Sequence, residues 1–562
     1  MKRSDVAAWM SRIRAAENFF EKKLEESKEI VELYQRKSMW SERAARALGL
    51  REERRYSVNY VWANIQVLLA SIYAGNPKVL FKPRSEIYSA SARPQEKYFS
   101  WMFPQIYWRA QRLRTIRTAL LRGWAAAKVF WKPVSESPSP EGEELGPTEP
   151  RSRFEYVPPG APAIVALSPF EFLCDPEANL DLSKARWVVH RVRRPLEEIQ
   201  RDKHYKNTDS IKGLASSESF ERFFTGHPEI SEFKDQQPVL IYEVWVREMA
   251  GMRRKLFTLC PGSEDPIRDP ESWPYTGIEE FPFDILSFHP SEDEDEILPS
   301  FPLPDLRPWI SLQKSLNLLY SKAVTHTDRF DRTFGVNTQA VESPEDVQAA
   351  VLGGDGTYFR TTGDPRTAVV PVEYGSLPPE YFTVLTLTHQ MLQEVSGIGE
   401  LQRGMAPASM TATGANIQQA NASIRAADKR AVIAESDRRI VRLMRQISRQ
   451  FLTEDFAIQV SGNAEWLTMK PEDFRAELDV EIDVDSIAPE TVAARQNRWM
   501  TALQVVGPLL NSPSGVPSGI RELLRRILRD LGFEDEELFL PSLASAGPES
   551  EHSAWLLNEK PP

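Results

Sequence analysis

Alternate residues on a strand share a face, so Asp479, Glu481, Asp483 and Asp485, interleaved with Leu478, Val480, Ile482 and Val484, set four carboxylates side by side. Such a row could hold a cation or supply a general acid and base. Metal sites, however, recruit ligands from separated elements, and the seven histidines show no close pair. The row therefore reads as the solvent face of a half-buried strand. The acidic run Glu292 to Glu296 lacks the spaced ligands and turn glycine of an EF-hand and reads as a solvated loop. Cys174 and Cys260 are too few for a disulfide framework and lack the paired spacing of a zinc site, which points to a reducing compartment. There is no Walker-type Gly-Lys-Ser/Thr pattern. No catalytic residue, metal or cofactor is assigned.

The most telling stretch runs from Leu377 to Leu452: a short helix, a Gly/Ala/Met/Ser/Thr-rich break over Gly397 to Gly414, then a long arginine-rich helix. Apolar residues fall at Ile417, Ala420, Ile424, Ala427, Ala431 and Ala434, and again at Ile440, Leu443, Met444, Ile447 and Phe451, with a slip in register near Asp437. From Ala415 to Leu452 this helix would be roughly 57 Å long, a strut of the kind that belongs to an assembly. Its other faces are locally basic, inside a chain whose formal charge is -11. That balance argues against a protein that coats nucleic acid, so any DNA contact should be local. At 562 residues with 41% hydrophobic content the chain can bury real cores. No run reaches the roughly 18 apolar residues that span a bilayer, so a soluble protein without a membrane partner is expected.

The elements predicted along the chain give an α+β, mainly helical fold. Helices fill most of Met1 to Gly75, a strand covers Lys78 to Pro83, and one helix runs from about Arg93 through Gly123 into a strand at Ala127 to Pro133. Ser135 to Ser152 is an exposed Pro/Glu/Gly/Ser loop. Strands dominate from Phe154 to Val192 and from Val239 to Phe257, with a helix opening at Arg194-Pro195, and another strand covers Phe281 to Phe288. A helix from Pro304 fades near Gly335, a small mixed insert spans Val336 to Tyr374, and Leu478 to Asp485 is the acidic strand. A Gly507 to Pro517 linker, a Ser518 to Leu531 helix and a disordered tail follow.

In this order the pieces resemble the portal proteins of tailed bacteriophages over roughly Val58 to Asp530. The resemblance rests on Val58-Asn59 with Asn76-Pro77 through Pro83, on Arg117 to Gly123 leading to Lys128 to Trp131, and on Phe281-Pro282-Phe283 followed by Leu312 to Asn317. Ser396-Gly397-Ile398 with Thr411-Ala412-Thr413, and Val480 to Ser486, complete it. The order of the fragments carries the likeness, since none is diagnostic alone. The resemblance implies a homo-oligomeric ring of twelve subunits at one capsid vertex of the virion, assembled in the host cytoplasm. Double-stranded DNA passes through it during packaging and ejection. Terminase docks on it, and the major capsid protein, scaffolding protein and head-completion or tail adaptor proteins are its other partners.

Carried onto this chain, residues 1–302 give N-terminal helices and an α+β wing, 303–334 and 377–396 the two stem helices, and 335–376 the clip between them. Residues 397–414 give the tunnel loop, 415–506 the long wing helix and closing strand, and 507–562 the crown and tail. Twelve helices side by side at about 10 Å leave a hole roughly 26 to 28 Å across, enough for a duplex. Arg403, Met405, Ala408, Ser409 and Met410 are the loop residues expected at the narrowest point. Lys314, Lys322, Arg329 and Arg332 on the first stem helix are channel-facing candidates, against a solvated face or a salt bridge. Arg438, Arg442, Arg445 and Arg449 could meet DNA, solvent or a neighbouring subunit. The last is preferred, because Arg forks pair readily with the carboxylates this chain has in excess. The rival readings are another virion structural protein, such as a head-tail adaptor or minor capsid protein, and a hydrolase using the acidic row.

Overall fold

The computed structural model describes residues 1–36, 39–40, 46, 55–133, 160–211, 238–289, 301–330, 334–343, 345, 347–348, 358, 360–362, 364–371, 377–399, 403, 412–459, 466–489, 500–501 and 504. Met1–Ala488 is one unit and Pro489–Pro562 a second, of which few residues are described. The expected loop at Ser135 to Ser152, the acidic run Glu292 to Glu296, the linker and the Ser518 to Leu531 helix lie outside the described residues.

Helix α1 (Arg3–Tyr34) buries Trp9, Ile13, Ala16, Phe20, Leu24, Ser27, Ile30 and Leu33 at three-four spacing, and α2 (Tyr60–Ile72) buries Val61, Ile65, Leu68, Leu69 and Ile72. Asn59 joins their ends. Its Oδ1 accepts the Trp62 N–H at 2.9 Å as the N-cap of α2, and its amide donates to the Leu33 and Tyr34 carbonyls at the end of α1. After β1 (Lys78–Pro83) the single helix expected from Arg93 to Gly123 is two, α3 (Ser89–Gln105) and α4 (Trp108–Arg122). Pro104 supplies no backbone N–H, and the chain breaks at Tyr107, whose φ is 53°. Gly123 ends α4 at φ 88°; a Cβ there would lie 2.3 Å from the Pro302 carbonyl oxygen.

Two antiparallel sheets follow. The first orders β2 (Trp124–Pro133) between β3 (Gly160–Ala166) and β9 (Phe283–Ser287). The second is a run of β4 (Phe172–Cys174), β5 (Trp187–Pro195), β6 (Pro238–Met249), β7 (Met252–Leu259) and β8 (Arg268–Ser272), with the short helix α5 (Leu196–Arg201) between β5 and β6. Trp124, Phe172, Trp245 and Phe283 pack edge-on or tilted between them, in a core shared with α1. Helix α6 (Trp309–Phe330) leads into the insert: β10 (Phe334–Val336), α7 (Pro365–Ala368) and β11 (Val369–Pro371), with β10 and β11 paired antiparallel. Helices α8 (Pro379–Ser396) and α9 (Ala412–Phe451) come next, then β12 (Phe456–Gln459), β13 (Trp466–Met469), α10 (Pro471–Arg475) and β14 (Leu478–Asp483). β14 pairs antiparallel with β1, so two fragments that carried the sequence resemblance, about 400 residues apart, are hydrogen-bonded neighbours.

Helix α9 is 40 residues, about 60 Å at 1.5 Å per residue. Its C-terminal half is not an outlying strut but part of the core: Ile433, Ala434, Ile440, Val441, Leu443, Met444 and Ile447 are buried. The expected apolar face at Ile424, Ala427 and Ala431 is exposed instead, and the buried stripe runs through Ala426, Ile433, Asp437, Ile440, Met444 and Ile447. There is no slip in register, because the charged Asp437 occupies a core position.

Asp437 is paired with Arg112 of α4, Nε to Oδ1 2.6 Å, and both side chains are 0% exposed. Tyr73 donates its hydroxyl to Asp437 at 3.4 Å and accepts the Trp108 indole N–H at 2.7 Å. Arg112 also donates to the Ser436 hydroxyl at 2.9 Å; that hydroxyl in turn bonds Asp284 of β9, which Arg439 holds at 2.7 Å. Burial, with Asp284 nearby, raises the Asp437 carboxyl to about 6 despite Arg112, and the surrounding acids keep Arg112 charged against the same burial. The two side chains meet as a buried ion pair. Removing one member of such a pair strands the other charge, so Asp437→Ala should destabilise the protein by about 3–5 kcal/mol. Arg112→Met with Asp437→Leu should cost much less, both read from chemical-denaturation midpoints of the full chain.

Candidate functional site

Helices α6 and α8 stand against each other as a pillar. Tyr381, in the first turn of α8, donates its hydroxyl to the Leu319 carbonyl of α6, while Leu392 and Ile398 at the other end join the cluster of Leu306, Trp309 and Leu316. The two helices thus run antiparallel, and the insert lies between the end of one and the start of the other. The first begins at Trp309, not Leu303, because Pro304 and Pro308 suit a turn better than a helix interior.

A second face of α6 carries a row that the sequence reading missed. Gln313, Asn317, Ser321 and Thr325, four residues apart, are all buried. Gln313 donates to the Val58 carbonyl at 2.7 Å and accepts the Tyr60 N–H at 3.1 Å, and Ser321 bonds the Tyr56 N–H at 2.9 Å and its carbonyl at 3.1 Å. Asn317 donates to the Met39 carbonyl at 3.1 Å. The irregular backbone before α2 finds its hydrogen bonds on these side chains rather than in a sheet. The legible signal was an uninterrupted i, i+4 row of uncharged polar residues on a helix otherwise read for its apolar positions.

The pillar is tied to α9 at both α6 and α8. Lys429 of α9 donates to Asp305, just before α6, at 2.7 Å, and His289 shares that carboxylate. Arg425 donates to the Glu394 carbonyl at 3.2 Å at the end of α8, where Gly397 takes φ 68° and a Cβ would meet the Arg425 guanidinium at 2.6 Å. Arg403, from the break between α8 and α9, donates to the Asn64 side chain of α2 at 2.7 Å, with its guanidinium 5.8 Å from the Tyr60 ring. Met405, Ala408, Ser409 and Met410 lie outside the described residues. Lys314 pairs with Glu29 of α1, and Lys322 is exposed. The side chain of Arg329, and Arg332 altogether, lie outside the described residues.

The arginines of α9 have partners inside the chain. Arg438 pairs with Glu435 at 2.8 Å, Arg442 with Glu280 at 2.6 Å, and Arg449 is exposed. Arg445 donates to the Gln95 side chain at 2.8 Å and to the Leu478 and Ala476 carbonyls, so its fork clamps α3 and the start of β14 onto α9. Arg442 and Arg445, expected to meet a neighbouring subunit, thus also have partners within their own chain. The acidic row of β14 meets one cation on β1 and one just past its end: Lys82 binds Glu481, and Arg84 binds Asp479 at 2.7 Å.

A shallow cleft of about 350 Å³ between the two sheets holds Lys128, His190 and Glu243. Glu243 lies 2.7 Å from the Lys128 ammonium and 3.0 Å from His190 Nδ1. Burial opposes its charge, but Lys128 and His190 more than offset that and hold its carboxyl far below the usual range. Burial and Lys128 together lower His190. So depressed a carboxylate is a poor proton acceptor, and the trio reads as a bolt between sheets. Among the described residues no group of three or more His, Cys, Asp or Glu could hold a metal, and no helix is long and apolar enough to cross a membrane.

Residues 331–560, from the insert through α8, α9 and β14, match the family model described as the phage SU10 portal protein. The resemblance to tailed-phage portal proteins drawn from fragments along the chain is thus met by an independent match over this stretch. Among solved structures, a chain titled "Neck of empty GTA particle computed with C6 symmetry" is 11% identical, covering 82% of this chain and 89% of that one, with a TM-score of 0.34.

Glu243 and Asp305 both have carboxyls held below their ordinary values; at Asp305 burial is outweighed by His289 and Lys429. The unfolded chain then binds more protons than the native one as pH falls. The stability these groups contribute is present above about pH 4 and lost as pH drops through their folded values. Denaturation midpoints should fall between pH 5 and 3, and Glu243→Gln should lower stability at pH 7 while flattening that slope.

Proposed function

We propose that this chain is the subunit of a ring-shaped portal at a phage capsid vertex, a structural and non-catalytic conduit through which double-stranded DNA is packaged and ejected. The observation that carries the reading is the antiparallel α6–α8 pillar with its small insert between the helix ends, within a stretch that matches a portal family. Copies of the pillar repeated around an axis would fence a duplex-sized hole. Terminase would dock at residues 335–376, the work of translocation coming from the motor's ATP hydrolysis. The capsid, scaffolding and tail adaptor proteins would take the outer surfaces.

In this reading Arg403, Met405, Ala408, Ser409 and Met410 line the constriction, with Arg403 fixed to the wall by Asn64. Lys314, Lys322, Arg329 and Arg332 would be the cations facing the channel, with Lys314 paired to Glu29 of α1. The net acidity of the subunit keeps DNA from being held by many phosphate contacts, a salt-dependent attraction that would impede sliding.

Negative-stain images of the purified full chain should show rings with a central hole of duplex width, and discrete small particles at high concentration would contradict the reading. Asp483→Asn should assemble normally, whereas a hydrolase using the acidic row would lose its activity. Ser409→Trp should leave ring assembly intact and reduce DNA packaging in a reconstituted assay.

A further inference from the structure

Helix α8 is apolar on two faces. Tyr381, Leu385, His389 and Leu392 turn toward the protein, while Val384, Leu387, Met391 and Val395, at spacings of three and four, form a second stripe of which each residue is 43–50% exposed. Nothing charged interrupts this stripe, and among the described residues no element covers it. A helix of this kind needs two neighbours, and the subunit supplies one.

The chain has another apolar edge of the same character. Tyr56 and Val58 are exposed at alternate positions of the segment that α6 captures, and Trp62 follows in the first turn of α2; they are 44–50% exposed. Which side of the pillar this edge occupies follows from its own contacts. Tyr60, at the start of α2 within this edge, packs at a tilt of 47° against His389 of α8, with ring centroids 4.8 Å apart. Leu387 precedes His389 by two residues, which at 3.6 residues per turn puts it about 200° round the helix, on the opposite side. One apolar surface therefore faces each way from a single pillar.

We propose that these two surfaces are the halves of one contact between successive copies of this chain, the Val384–Val395 stripe of one subunit seated on the Tyr56–Trp62 edge of the next. This rests on the ring reading and adds to it which faces meet. Taking about 200 Å² for a large side chain, the seven half-exposed residues present roughly 650 Å², the scale of the apolar centre of a standard interface burying about 1,600 Å². A contact between two different surfaces is heterologous, and one that leaves both surfaces on opposite sides of the subunit propagates by rotation, as a ring requires. An isologous contact of stripe on stripe would stop at a dimer.

Mixing two variants of the full-length protein tests this. Leu387→Asp blocks the stripe and Trp62→Asp blocks the edge, each at a half-exposed position, with far-ultraviolet circular dichroism checking the fold. By mass photometry the wild type should form rings, each variant alone should be monomeric, and the equimolar mixture should form two-chain particles, because one unblocked stripe and one unblocked edge remain. Rings from Trp62→Asp alone would overturn the assigned contact and leave the ring reading standing. A mixture that stays monomeric would do the same, while a monomeric wild type would overturn both. Val58→Cys with Leu387→Cys in one chain provides a second readout that does not depend on disruption. Oxidised rings should give a ladder of linked chains on a denaturing gel, and the absence of linkage in intact rings would count against the proposal.

Discussion

A helix apolar on two faces cannot bury both against one neighbour, and α8 is such a helix. Its inner face is spent on α6, where Leu316 and Leu392 share a cluster, while its outer stripe stays open. Burying such a stripe is worth roughly 25 cal/mol per Å² of apolar surface, and in the proposed ring that is the free energy the contact between copies would supply. The loops, sheets and long helix matter to this because they fix where the stripe points.

That fixing runs through charges as much as through apolar packing. The buried Arg112–Asp437 pair locks α9 to α4, and Asp284 extends the network to β9. From that anchored helix, Lys429 holds the start of α6 and Arg425 caps the end of α8. The polar row of α6 then binds the segment before α2 by its backbone, which leaves Tyr56 and Val58 exposed. Each step places a polar group where an unpaired partner would be costly, so the arrangement is specified rather than merely permitted.

Much of this was legible in the sequence, and the failures have physical causes. The strand Lys78 to Pro83, the break after Ser396 and the alternation over Leu478 to Asp483 follow from local pattern, and the structure keeps them. The expected face of α9 holds from Ala434 through Ile447 but fails at Ile424, Ala427 and Ala431, because a charged residue was excluded from the buried stripe. Periodicity alone cannot reveal that Arg112, 325 residues earlier, neutralises Asp437. The same limit hid the row Gln313, Asn317, Ser321 and Thr325: polar side chains read as surface until a segment of irregular backbone needs their hydrogen bonds. Arg445 illustrates the converse, since an arginine rich in donors can be used up by carbonyls of its own chain before any neighbour arrives.

The central claim is that α6 and α8, repeated around an axis, form the wall of a hole. An electron cryomicroscopy reconstruction of the assembled full-length protein measures this directly. The account predicts a closed ring in which these two helices of every subunit line the lumen, with residues 335–376 projecting at one end. A ring whose lumen is lined by the β2–β9 and β4–β8 sheets, with α6 and α8 on the outside, would contradict it.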